Sequence, residues 1–124
     1  MSHSTNSELV QRSIKADYKM FIGGRWVTSL SGRSSPSINP ATGAVLTNIP
    51  MANKEDVDAA VVAARGALKH FQSTSKEERI DYLEQILAAY KSRYEDFVEA
   101  ICLEIGALIT LSREVQAHTG IEHL

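Results

Sequence analysis

The chain has 124 residues, 44% of them hydrophobic and 23% charged, a balance that suits one small globular unit. Thirteen basic residues scattered among fifteen acidic ones leave a net charge of -2, which gives no electrostatic reason to expect nucleic acid or an anionic membrane as partner. A lone cysteine excludes an internal disulfide, and no apolar run approaches the ~20 residues needed to span a bilayer.

Residues 1–17 are polar and rich in Ser, with no apolar stretch of signal-peptide length. Glu8, Asp17 and the shortage of Arg argue against a transit peptide, so the expectation is a disordered tail on a cytoplasmic protein. Residues 18–50 read as a β-hairpin arm. Met20, Ile22, Trp26 and Val27 flank Gly23-Gly24, a pair that accepts the positive φ of a tight hairpin turn. After a polar break at Ser29–Ser35, Ser37-Ile38 leads into the turn Asn39-Pro40-Ala41-Thr42-Gly43, and Ala44–Ile49 returns as a strand ended by Pro50.

Residues 53–124 read as helical. Asn53 is an N-cap, with Glu55 and Asp56 in the first turn, and Val57, Ala60, Val61, Ala64, Leu68 and Phe71 recur on one face. Ser75-Lys76-Glu77-Glu78 has the form of a capping box. It opens a long second helix with the stripe Ile80, Leu83, Leu87, Tyr90, Tyr94, Phe97, Ile101 and Ile105, ended by Gly106 in a left-handed position. A third helix is predicted from Ser112, with Val115 its first inward residue.

Among chemistry-bearing residues, Cys102 has Glu99 and Glu104 close in sequence, whereas a reactive thiolate needs an electropositive setting; it reads as a small buried hydrophobe. His70, His118 and His123 read as surface histidines, the last two being five apart with no cysteine or carboxylate at ligand spacing. Gly23-Gly24 joins two strands, whereas a dinucleotide fingerprint needs G-x-G-x-x-G between strand and helix, and no phosphate-binding loop is present.

Three segments in order, Phe21-Ile22-Gly23-Gly24-Arg25-Trp26-Val27, Ile38-Asn39-Pro40-Ala41-Thr42-Gly43 and Glu104-Ile105-Gly106-Ala107 onward to Ala117, resemble the N-terminal region of the aldehyde dehydrogenase superfamily. The resemblance runs from about Tyr18 to the end of the chain. It implies an α/β fold, seen as an incomplete piece: a β-hairpin arm, two full helices and the start of a third, the helices forming the outer layer of a Rossmann-like cofactor domain. Leu108 stands where the family commonly has proline, which relaxes the stop after the second helix.

The family oxidises aldehydes to acids with NAD or NADP, using a cysteine thiolate, an oxyanion-binding asparagine and a glutamate that activates water. By the resemblance those residues and the cofactor motifs lie beyond Leu124, so no residue here takes a catalytic or cofactor-binding role. The resemblance does give Glu104 and the carbonyl of Ile38 a possible role as oxygen ligands of a monovalent cation, K+ or Na+. The expectation is a fragment inactive by itself and prone to self-association. The alternatives are an N-terminal subunit completed by a separate C-terminal chain and a module that binds full-length subunits.

Overall fold

The computed structural model describes Ile14, Lys15 and residues 17–124. Two small antiparallel hairpins come first. In one, β1 (Met20–Ile22) pairs with β2 (Arg25–Val27) across Gly23-Gly24, with Met20 opposite Val27. In the other, β3 (Ser34–Ile38) pairs with β4 (Val45–Pro50), and a bulge falls between Ser37 and Ile38. The second strand pair starts within what reads as a polar break and includes Pro50. Its turn is locally determined: the Asn39 side chain accepts from the Ala41 amide at 2.9 Å, and the Gly43 amide donates to the Asn39 carbonyl at 2.8 Å. The predicted tail of residues 1–17 lies mostly outside the described residues. Its last residue, Asp17, bridges in parallel to Asn48 of β4.

Helix α1 (Lys54–Gln72) opens on a reciprocal capping box, in which Asn53 accepts from the Asp56 amide and the Asp56 carboxylate accepts from the Asn53 amide. Helix α2 (Lys76–Ser92) opens on the same device built from Ser75 and Glu78. The long second helix expected to reach Ile105 is two helices. Arg93 leaves helical geometry at φ -114, ψ 19, and α3 (Tyr94–Ile105) starts again after it. The apolar stripe keeps its period across this break, and Tyr90 stacks on Phe97 with ring centroids 4.4 Å apart, so packing spans the interruption.

Gly106 ends α3 at φ 73, and a Cβ there would lie 2.9 Å from Pro40 Cγ. The helix end thus abuts the β3–β4 turn, and both backbone and space require glycine.

The last helix starts before Ser112. Short α4 (Ile109–Leu111), a π-helical segment (Ser112–Gln116) and α5 (Ala117–Glu122) follow one another with helical backbone at each junction. Ser112 and Ala117 are fully buried, whereas Val115, expected to point inward, is 52% exposed. The core is small. Among the described residues the buried apolar side chains are Val98, Leu103 and Ala117, where α3 meets this last helix. None of the three lies on a predicted stripe: Val98 and Leu103 flank that of the second helix, whose Ile105 is 62% exposed, and Ala117 falls in the predicted third helix, whose expected inward residue is Val115.

Candidate functional site

Two polar junctions tie the hairpins to the helices. The first centres on Asp56, buried by accessible area at the third position of α1. Its carboxylate accepts from the Ser29 hydroxyl at 2.7 Å, the Leu30 amide at 3.1 Å and the Asn53 amide at 3.0 Å. These donors, the Ser29 hydroxyl first among them, hold its pKa below the ordinary carboxylate value against the opposing effect of burial. Ser31 adds a bond of 2.9 Å from its hydroxyl to the Met51 carbonyl. The sequence contains the local half of this junction, Asn53 three residues before Asp56. No spacing signal links Asp56 to Ser29, far back along the chain.

The folded state favours the ionised form of Asp56, so its contribution to stability is present above the ordinary carboxylate pKa of about 4 and is lost as pH falls through the lowered value. Asp56→Asn is therefore expected to lower the thermal midpoint at neutral pH and to flatten the decline below about pH 4. Helical circular dichroism followed on heating at a series of pH values checks this. An unchanged acid decline in the variant would place the titration elsewhere.

The second junction lies between α3 and the β3–β4 hairpin. Glu104 in the last turn of α3 lines a hollow of about 210 Å³ with Ile14, Tyr18, Ser37, Thr47 and Ala100. Ser37 is the neighbour of Ile38, and two residues on from each partner Pro40 meets Gly106. The fold thus brings the segments of Ile38 and Glu104 alongside each other. Thr47 is buried, and its hydroxyl donates to the Lys15 carbonyl at 2.8 Å. Among the described residues no group of three or more His, Cys, Asp or Glu side chains could hold a metal ion. Any cation at Glu104 would depend on backbone and hydroxyl oxygens, a donor set suited to a hard ion.

Cys102 is half-buried, and its thiol donates to the Ser112 hydroxyl at 3.3 Å, which in turn faces Gln116 Oε1 at 3.3 Å. His118 corrects the expectation of histidines without a carboxylate at ligand spacing: its Nε2 lies 3.8 Å from Glu122 Oε1, one helical turn on. Arg113 makes a two-pronged pair with Glu95, Nη2 to Oε2 at 2.8 Å and Nε to Oε1 at 3.1 Å. Arg113 holds the Glu95 pKa down, yet both side chains remain exposed, where solvent screens the pair and it adds little to stability. No helix among the described residues is long and apolar enough to cross a membrane.

The chain matches the sequence model of the aldehyde dehydrogenase family over residues 26–124. It is 44% identical over 105 residues to a Staphylococcus saprophyticus protein named as an aldehyde dehydrogenase, covering 85% of this chain and 22% of that one. Among solved structures, it superimposes on aldehyde dehydrogenase C of Pseudomonas syringae with a TM-score of 0.85 and 35% identity, over 89% of this chain and 24% of that one. That structure is of a mutant form in complex with NAD+ and octanal. An aldehyde dehydrogenase of Bartonella henselae gives a TM-score of 0.84 at 31% identity, over 86% of this chain and 22% of that one. The chain thus spans about a quarter or less of the relatives it matches. It belongs to the aldehyde dehydrogenase family and corresponds to the family's N-terminal region.

Proposed function

We propose that this chain is the N-terminal piece of an NAD(P)+-dependent aldehyde dehydrogenase, supplying the hairpin arm and outer helices of the enzyme without activity of its own. The observation that carries this reading is the uncovered apolar surface. Val57, Val61, Leu68 and Phe71 on α1 and Ile80, Leu83 and Ile86 on α2 are each between 43% and 51% exposed, and α2 has no buried residue. Amphipathic faces of this extent are built to be covered, and relatives nearly four times as long have the polypeptide to do so. The aldehyde and the nicotinamide cofactor belong to the complete enzyme, as the NAD+ and octanal of the P. syringae relative suggest. Within it, Glu104 and the Ile38 carbonyl would contribute oxygens to a K+ or Na+ site, as the meeting of α3 with the β3–β4 hairpin supports. A cytoplasmic location completes the reading, and the single Cys102 suits it.

The isolated chain is expected to self-associate and to bind an apolar dye. Covering one large apolar side chain is worth ~1.5–3 kcal/mol, so several left open remove much of an ordinary ~5–15 kcal/mol stability. Sedimentation at several concentrations and dye fluorescence provide the measurement. A monodisperse monomer with a sharp cooperative melt would defeat the proposal.

A further inference from the structure

The last helix buries two residues that an α-helix would set on different faces. Ser112 and Ala117 are both fully buried, yet five residues of α-helix turn about 500°, which would leave them roughly 140° apart. The π-helical segment removes the conflict. The Ala117 amide donates to the Ser112 carbonyl, five residues back, in place of the Arg113 carbonyl that an α-helix would give it. The Arg113 carbonyl accepts instead from the Tyr94 hydroxyl. On the other side of the Arg93 break, near the end of α2, the Tyr90 hydroxyl donates to the Ala117 carbonyl at 2.8 Å. Tyrosines four apart thus engage carbonyls four apart. In this register Gly120 sits against Tyr90 so closely that a Cβ would lie 2.5 Å from the hydroxyl oxygen.

We propose that Ser112–Gln116 is a two-register element: it carries one residue more than an α-helix needs between its docked faces, and the Tyr94 hydroxyl holds the longer register. In the α-helical alternative Arg113 takes back the Ala117 amide, and Ala117 and Gly120 rotate off Tyr90. The extra residue is the exposed Val115, since its removal leaves Ser112 and Ala117 four apart on one α-helical face.

The test is hydrogen exchange in the full chain, read on peptides covering residues 109–124. Deletion of Val115 is expected to keep protection of Ala117–Glu122 within about threefold of the parent, while insertion of an alanine after Val115 is expected to lose at least about tenfold. Tyr94→Phe is expected to lose protection severalfold in the parent and almost none in the Val115-deleted chain, where Arg113 no longer needs the hydroxyl. Collapse of protection on deleting Val115 would overturn the proposal, as would equal losses from Tyr94→Phe in both backgrounds. A parent chain with no protection in this segment would overturn it as well.

Discussion

Incubated with NAD+ or NADP+ and a panel of short, long and aromatic aldehydes, the chain by itself is expected to form no reduced nicotinamide. The oxidation requires an activated nucleophile, a donor for the developing oxyanion, a positioned hydride acceptor and a base for deacylation, all in one water-excluding site. The chain offers a single thiol, and that thiol is engaged with the Ser112 hydroxyl at 3.3 Å. Even a reactive Cys102 would stop at a thiol adduct, because hydride needs an acceptor held beside it. Absorbance of the reduced cofactor is the readout, with Cys102→Ala as the control. Turnover that survives the substitution and scales with protein would indicate contaminating enzyme. Turnover abolished by it would overturn the proposal that this region contributes structure and leaves the chemistry to the rest of the enzyme.

The substitution with the largest expected effect on the fold is Gly120→Ala. A Cβ at this position would meet Tyr90 at 2.5 Å from its hydroxyl oxygen and 2.6 Å from Cζ. The ring cannot swing aside at no cost, since it stacks on Phe97 and its hydroxyl donates to the Ala117 carbonyl. Overpacking of this kind costs about 1–3 kcal/mol, enough to lift α5 away from α2. Gly66→Ala is the control: it lies within α1, a Cβ there meets nothing within 4 Å, and alanine in an open helical position is favoured by up to ~1 kcal/mol. Urea titration followed by helical circular dichroism should therefore move in opposite directions for the two variants. Tyr90→Phe combined with Gly120→Ala should recover part of the loss by removing the nearest atom. Equal effects at the two glycines would show that Tyr90 does not pack where the structure puts it.

Local chemistry made much of this fold legible. Gly23-Gly24 and Asn39–Gly43 form the expected turns because their conformations are chosen by residues in immediate contact along the chain. Asn53 and Ser75 cap helices for the same reason, and Gly106 adopts the left-handed geometry foreseen for it. Pro40 of the β3–β4 turn meets Gly106 at the end of α3, an approach of distant segments that no spacing rule could have given. Three features escaped the sequence because distant contacts decide them. The break at Arg93 leaves the apolar period intact, so periodicity cannot reveal it. Asp56 looked like an ordinary first-turn acid until Ser29 and Leu30 converged on it. The π-helical turn exists because Tyr90 and Tyr94 engage carbonyls on a helix that must bury both Ser112 and Ala117. Turn and cap residues act on their own backbone, within a few residues of sequence. Helix breaks, buried charges and register are set by what packs from the other side, and only the tertiary structure supplies that.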